Sequence, residues 1–215
     1  MSKPVKRKRR RAYHSVVRAE QAAATRRQIL DAARKVFVAR GYAGTTMVQV
    51  ATEAGTAVET IYAAFGTKAE LLANAVLAGL VIDGQSPPQQ ARAEPARRAA
   101  TGVEQLRLFA ADISHLLAGV APIFDVVASA RREPEIGALY KRMQNARLAN
   151  MRVMVGWLVE KRALRAGLDP DDAAETVWAL TNPELYRMVT EERGWAREQF
   201  AEWLADALIA TIAAR

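Results

Sequence analysis

Residues 46–65 read TMVQVATEAGTAVETIYAAF, and this stretch decides the fold. It divides at Gly55 into two short segments, each with apolar residues at helical spacing. Thr46 is a favourable N-cap for the first segment, and Thr56 is placed to cap the second, in which Ile61 points to the core. The pattern predicts two helices joined by a glycine turn, a helix-turn-helix, which is a motif that binds DNA.

The composition favours packed helices in the rest of the chain. Apolar residues make up 51% of the 215 residues but aromatic residues only 7%, which indicates a core built on Ala, Leu and Val. The helical period recurs from Arg26 almost to Arg215, whereas no six-residue run alternates like a strand. We therefore expect an all-α protein.

Several classes of site and location are disfavoured by the sequence. The chain has no cysteine, which excludes disulfides and thiolate metal sites, and no run approaches 18 uninterrupted apolar residues. Its two histidines, His14 and His115, are far apart, and there is no phosphate-cradling glycine loop or nucleophile elbow. We expect a cytoplasmic protein that is not an enzyme, with no cofactor, no metal site and no membrane partner.

Most of the net charge of +8 lies at the N-terminus. Residues 1–24 hold eight basic residues against Glu20, and seven of these fall within nine positions. Such a block is typical of a polyanion-binding segment, although a solubilising tail has the same composition. We expect a basic disordered arm that contacts DNA through Lys6, Arg7, Lys8, Arg9, Arg10 and Arg11.

The remaining boundaries follow from caps and helix breakers. We expect a helix-turn-helix DNA-binding domain at 25–80 with Thr25 and Thr67 as N-caps, a linker at 81–100 with a possible helical stretch from 89, and a helical domain at 101–215. In that domain the pattern predicts helices at 101–119, 122–130, 134–166 and 169–192, the last kinked at Asn182-Pro183, and a final helix after Gly194.

Residues 29–72 resemble the N-terminal DNA-binding domain of the TetR family of bacterial repressors in order, spacing and residue type. The marks of the resemblance are Ala33 and Phe37, Gly41-Tyr42, Thr45-Thr46, Ala51 with Gly55, Ile61-Tyr62 with Phe65, and Lys68 with Leu71. The resemblance implies a three- or four-helix DNA-binding domain followed by a helical ligand-binding and dimerisation domain.

By this resemblance, Thr46 lies beside a phosphate, residues 57–60 face the base edges, and Tyr62 and Lys68 hold the DNA backbone. The full set of implied DNA contacts is Thr45, Thr46, Thr56, Ala57, Val58, Glu59, Thr60, Tyr62 and Lys68. Hydroxyls and an ammonium are good phosphate partners, but a carboxylate among the base readers is repelled by phosphates. The chain also departs from the usual pattern at Ala63-Ala64, where the family often has a polar or aromatic side chain.

The resemblance also implies a homodimer and a small-molecule effector. The implied dimer interface consists of Trp178, Leu185, Met188, Trp203, Leu204, Ala207 and Leu208. The implied ligand cavity is lined by Phe109, His115, Phe124, Met143, Met151, Met154, Trp157 and Trp178, although each of these is individually typical of an ordinary core.

The sequence thus favours a ligand-responsive transcriptional regulator, a repressor that binds a palindromic operator in double-stranded DNA as a dimer and is released by a small apolar effector. Two alternatives stay open at this point. One is a sequence-indifferent or nucleoid-type DNA-binding protein, which the basic arm permits. The other is a co-regulator that binds a protein partner through the Trp-rich C-terminal helices.

Overall fold

The computed structural model describes residues 5–79 and 89–214, and the side chains of 20–79 and 93–214. Within these ranges the chain is helical, with one isolated β-bridge between Leu164 and Ala213. The elements are α1 Val5–Arg40, α2 Met47–Ala54, α3 Val58–Phe65, α4 Lys68–Gly79, α5 Gln89–Arg98, α6 Gly102–Ser129, α7 Pro134–Glu160, α8 Pro170–Leu180, α9 Pro183–Arg187, a π-helical turn Met188–Glu192, and α10 Arg197–Ile212. The all-α prediction is confirmed, and the chain divides into two compact units, Met1–Ala78 and Gly79–Arg215.

The first unit is organised around a small apolar core. Six side chains from all four helices are at most 4% exposed, namely Ile29, Phe37, Val50, Ile61, Phe65 and Leu72. Three glycines with positive φ, Gly41, Gly55 and Gly66, end α1, α2 and α3, because glycine adopts this left-handed backbone without steric cost. These turns close four helices around one core.

Helix α1 is longer than the sequence pattern predicts. We expected disorder over residues 1–24 and a helix from Thr25, but α1 begins at Val5, and Thr25 lies inside it. No proline or glycine interrupts residues 5–40, and Ala, Arg, Lys and Gln are strong helix formers, so local propensity extends the helix without an apolar face. Residues 1–4 and the side chains of Lys6 to Arg11 lie outside the described residues.

In the second unit, α6 differs from the two helices expected at 101–119 and 122–130. It runs unbroken through Pro122, whose ring nitrogen has no N–H to donate to the carbonyl of Ala118. Ala121 and Ile123, on either side of the proline, are almost fully buried. The packing of this segment overrides the single lost hydrogen bond.

Helix α7 ends at Glu160, earlier than the expected end at residue 166. Arg162 adopts a left-handed backbone with φ of 55°, and the chain then pairs with the C-terminus. The N–H of Arg165 donates to the Ile212 carbonyl at 2.9 Å, and the N–H of Ala214 donates to Ala163 at 2.8 Å. The pairing partner is about 50 residues away, so no local pattern signals it.

The expected 169–192 helix is broken where the kink was predicted. Asp169 caps α8 by accepting from the Asp171 N–H, as predicted for the start of this helix. At the break, the side chain of Asn182 accepts from the Glu184 N–H at 2.9 Å and begins α9 with Pro183 in its first turn. The proline therefore starts a new helix after a short turn.

In the region expected as a linker, α5 forms from Gln89 to Arg98, and residues 80–88 lie outside the described residues.

Gln105, fully buried on α6, donates to the Met154 carbonyl at 2.9 Å and accepts from Lys161 at 2.7 Å. Lys161 also donates to the Arg97 carbonyl at 2.8 Å, so hydrogen bonds join α5, α6 and the end of α7.

By length and apolar composition, α6 is also the one helix among the described residues that resembles a membrane span. Half of its most apolar 18-residue window is buried inside the protein, as in the core helix of a helical bundle. Thirteen of its residues, including Leu106 and Phe124, are buried. The apolarity of α6 is thus accounted for by core packing.

Candidate nucleic-acid interface

A reciprocal capping box begins α2. The Gln49 N–H donates to the Thr46 hydroxyl oxygen at 3.2 Å, and the Thr46 N–H donates to the Gln49 side-chain oxygen at 2.9 Å. At the other end, Gly55 has φ of 60°, and the N–H of Thr56 donates to the Ala51 carbonyl at 3.0 Å. The predicted N-cap and turn glycine are confirmed, and Thr46 remains exposed.

Helix α3 begins one residue later than predicted. Its N-cap is Ala57, which makes no side-chain cap, so the prediction that Thr56 caps this helix is wrong. The reason is that Thr56 completes the turn after α2 through its own N–H.

The outer face of α3 is small and nearly uncharged. Ile61 and Phe65 are buried, while Val58 and Thr56 are half-buried. The residues exposed on the opposite side are Ala57, Glu59, Thr60, Tyr62, Ala63 and Ala64. Tyr62 is 53% exposed, although it follows the half-buried Val58 by four residues, one helical turn.

Two polar side chains of α1 hold the C-terminal ends of both motif helices, and the sequence pattern did not reveal them. Gln28 donates to the Ala54 carbonyl at the end of α2 at 2.8 Å. Arg26 donates to the Ala64 carbonyl of α3 at 3.2 Å, and its guanidinium lies 4.3 Å from the centre of the Phe65 ring. These bonds satisfy helix-end carbonyls that have no partner within their own helices.

These α1 contacts orient the exposed face of α3. Arg26 also donates to the Asn74 side-chain oxygen on α4 at 2.6 Å, so one guanidinium links α1 to both α3 and α4. A sequence signal was present only in hindsight, in Arg26 and Gln28, which lie three positions and one position before the buried Ile29.

Comparisons with known proteins agree with this geometry. Residues 29–75 match the family model described as bacterial regulatory proteins, tetR family. Residues 29–75 therefore belong to a TetR-family DNA-binding domain. The comparison with curated protein sequences finds no match.

Solved structures of TetR-family and other regulators share the fold over most of the chain. FadR from Bacillus subtilis, in complex with stearoyl-CoA, is 22% identical with a TM-score of 0.69, covering 85% of this chain and 97% of its own. NalD, the secondary repressor of the MexAB-OprM efflux pump in Pseudomonas aeruginosa, is 20% identical with a TM-score of 0.68, covering 90% and 98%. The TetR-family regulator PfmR from Thermus thermophilus is 24% identical with a TM-score of 0.63, covering 85% and 97%.

Within the TetR-family domain, Thr45 is not available to DNA. It is 1% exposed, and its hydroxyl donates to the Gly41 carbonyl at 2.7 Å and lies 3.4 Å from the Val36 carbonyl. Its inclusion among the DNA contacts is therefore corrected: the hydroxyl holds the turn between α1 and α2.

Lys68 is also committed to the domain's own backbone. Its ammonium donates to the carbonyls of Tyr42 at 2.9 Å and Thr45 at 3.1 Å and lies over the Tyr42 ring. Two of its three donors are thus used inside the domain. The expected phosphate contact has at most one N–H left for it.

In the helical unit that follows the TetR-family domain, the residues expected to line a ligand cavity differ in burial. Phe124, Met151 and Met154 are buried. The half-buried ones are Phe109, Met143, Trp157 and Trp178. His115 is exposed and hydrogen-bonds Arg197 through Nδ1, so its assignment to the cavity lining is wrong because it faces outward from α6.

The expected dimer interface is also revised. Leu204 and Leu208 are fully buried inside the unit, so neither has surface to offer a second copy. The other expected residues keep exposed surface: Trp178, Leu185, Trp203 and Ala207 are half-buried, and Met188 is 46% exposed. The helical period identified the α10 stripe, but its two leucines face the inside of their own unit.

Proposed function

We propose that this chain is a ligand-responsive transcriptional repressor that binds a palindromic operator as a homodimer and releases it when a small molecule binds the helical unit. The observation that carries the proposal is the exposed face of α3, which the capping box of α2, a glycine turn and the α1 contacts hold in a fixed orientation. NalD, a structural neighbour, is a repressor. The neighbour FadR binds stearoyl-CoA.

In this proposal α3 reads the sequence, and the basic start of α1 supplies attraction. Ala57, Thr60 and Tyr62 place small and hydroxyl-bearing groups on the outer face of α3, where Glu59 can accept from a cytosine amino group. That face carries no positive charge. The six basic residues at positions 6–11 therefore supply the phosphate attraction, which is independent of sequence.

Self-association follows from the same reasoning. A two-fold dimer presents two copies of α3 to half-sites roughly 34–36 Å apart, or a multiple of that distance. The half-buried aromatic side chains on α8 and α10, Trp178 and Trp203, supply surface for such contact. An inverted repeat in the bound DNA is the expected signature.

The test is a selection of DNA sequences on the purified full-length protein, followed by binding to the selected DNA and to random DNA at several salt concentrations. The wild type should prefer the selected DNA at physiological salt by about 10³-fold or more. Replacing the six basic residues at 6–11 by Gln should weaken binding to both DNAs and reduce the salt slope by about 0.9 for each lost phosphate contact.

Glu59→Gln should change the preferred sequence and leave the binding of random DNA within about twofold, since only one base-facing group is altered. Glu53→Gln is the matched control, because Glu53 is an exposed carboxylate on α2 that pairs with Lys35 at 3.4 Å. Equal affinity for selected and random DNA would instead establish the nucleoid-type function, which the basic residues at 6–11 favour.

A further inference from the structure

Arg147 is an unexpected cation inside the helical unit. From α7 it donates through Nη2 to the carbonyls of Trp178 at 2.9 Å and Thr181 at 3.0 Å, and through Nη1 to the Gln144 side-chain oxygen at 2.6 Å. It therefore binds the C-terminal end of α8. No carboxylate among the described residues forms an ion pair with it.

The charge of Arg147 is poorly compensated. Burial lowers its pKa to about 10, an effect that the more distant Tyr140 and Glu184 only partly oppose. A group with this pKa is still protonated at neutral pH. A partly desolvated cation without a paired carboxylate is costly, and an anion placed against it recovers part of that cost.

The surroundings of Arg147 are aromatic and partly open. The rings of Trp178 and Phe124 are centred 5.3 and 6.0 Å from the guanidinium carbon. Tyr140 packs on Phe124 with ring centres 5.9 Å apart, and its hydroxyl accepts from Gln144 at 2.8 Å. Tyr140, Arg147 and Trp178 are only half-buried, so this cluster, called the Arg147 site below, is partly exposed to solvent.

A second donor at the Arg147 site has no partner among the described residues. The indole Nε1 of Trp178 is buried, and no acceptor among the described residues lies within hydrogen-bond distance. Buried indole N–H groups usually have an acceptor. The Nε–H of Arg147 likewise makes no hydrogen bond to the described part of the chain. The Arg147 site thus combines a positive charge that no carboxylate of the described residues pairs with directly and two donors without an acceptor among those residues.

We propose that Arg147 and Trp178 bind the carboxylate of an effector whose apolar body lies against the half-buried Tyr140 and Met143. The planar guanidinium matches the two oxygens of a carboxylate, and the indole N–H supplies a further donor to the same acceptor group. This inference rests on the proposed effector-responsive function and specifies its ligand class as amphiphilic carboxylic acids.

The test compares binding of carboxylates with that of their alcohol analogues to the full-length protein by isothermal titration calorimetry. The probes are hexanoate, decanoate and 4-phenylbutyrate, each paired with the alcohol of the same carbon skeleton. We expect at least one carboxylate to bind tenfold or more tightly than its alcohol. If every pair binds equally, or no carboxylate binds, the proposal is overturned.

Three variants separate a binding role from a structural one. Arg147→Met should abolish the preference for carboxylates over alcohols. Trp178→Phe keeps an aromatic ring, and it should weaken the binding of the carboxylate several-fold and leave the affinity for the alcohol unchanged. Arg152→Met on the same helix is the control, since Arg152 is exposed and pairs with Asp171 at 2.8 Å. It should retain the wild-type preference.

If Arg147→Met proves unfolded by circular dichroism, Trp178→Phe decides the question alone. A preference unchanged in Arg147→Met or Trp178→Phe overturns the proposal. A third result also overturns the proposal. If the wild type binds none of the carboxylates and Arg147→Met dissociates the dimer, the group bound by Arg147 is a carboxylate of the second copy of the chain.

Operator release is measured separately, by fluorescence anisotropy of labelled operator DNA. If a carboxylate binds in a way that depends on Arg147 but does not release the operator, the proposed carboxylate site is supported and the proposed ligand-responsive repression is refuted. If an uncharged compound releases the operator and carboxylates bind no more tightly than alcohols, the proposed carboxylate site is refuted and the proposed ligand-responsive repression is supported.

Discussion

The ammonium of Lys68 donates to the main-chain carbonyl of Tyr42 at 2.9 Å and lies 4.2 Å from the centre of that residue's ring. A second bond, to the Thr45 carbonyl at 3.1 Å, joins the start of α4 to the turn before α2. Lys68 therefore holds the entrance of the helix-turn-helix in place. This makes it a positioning residue, whatever contact its remaining donor makes with DNA.

Lys68→Met is expected to weaken operator binding about tenfold, or ~1.4 kcal/mol, because the turn before α2 loses two hydrogen bonds and a cation–π contact. The slope of log affinity against log salt should stay close to the wild-type value. A fall of about 0.9 in that slope would show instead that Lys68 neutralises a phosphate. Lys35→Met, on the exposed face of α1, serves as the control and should leave operator affinity unchanged.

Thr45→Val should destabilise the protein by about 1–3 kcal/mol, because it leaves the Gly41 carbonyl without its buried hydroxyl donor. Urea unfolding of the full chain measures this change. Thr45→Ser keeps the hydroxyl and should recover most of the loss. If Thr45→Val lowers operator affinity and leaves the unfolding free energy unchanged, the hydroxyl acts on DNA after all.

Local patterns were sufficient for the helix-turn-helix. Thr46 with Gln49, and Gly55, act through hydrogen bonds and backbone angles within a few residues, so the sequence identified the cap and the turn. Thr45 was misassigned because the acceptors of its hydroxyl, Gly41 and Val36, depend on how the turn folds back onto α1. Adjacent threonines thus have opposite roles that spacing alone does not distinguish.

In the second unit the sequence was least informative where partners are far apart. Arg147 looks like one more surface charge on α7, because its acceptors on Trp178 and Thr181 lie more than 30 residues away. The burial of Leu204 is a similar case, since a helix with apolar residues on more than one side does not reveal which side faces its own core.

Leu204→Ala is expected to destabilise the protein by about 2–5 kcal/mol, the usual cost of truncating a leucine in a closed core. Thermal unfolding at fixed protein concentration measures it. The change creates a cavity inside the unit and leaves its surface intact, so the dissociation constant of the proposed dimer should not change.

Met188→Glu is the complementary variant, since this side chain is 46% exposed beside the Trp-rich helices. A charge placed in an apolar interface should weaken dimerisation by about tenfold or more, with the helical content kept. Sedimentation equilibrium gives the constant. Unchanged dimerisation in Met188→Glu, or dissociation in Leu204→Ala without loss of stability, would contradict this division between interface and core.

The decrease in the free energy of unfolding at alkaline pH should depend on Tyr186. Burial raises the pKa of this phenol, which packs edge-on against Phe200 with ring centres 5.0 Å apart. Because the folded state disfavours the phenolate, the unfolded state releases its proton first. The stabilisation is complete below the unfolded pKa of 10 and is lost as pH rises through the folded value.

Tyr186→Phe should therefore flatten the decline in unfolding free energy above pH 10, measured by urea titration from pH 8 to 11. The unfolding free energies of Tyr186→Phe must be subtracted from those of the wild type at each pH, because Arg147 changes the stability in the opposite direction. Burial lowers its pKa to about 10, well below the ordinary value of an arginine, so its loss of charge stabilises the folded state over the same range. Parallel curves for wild type and Tyr186→Phe would show that the Tyr186 phenol ionises as freely in the folded protein as in the unfolded chain.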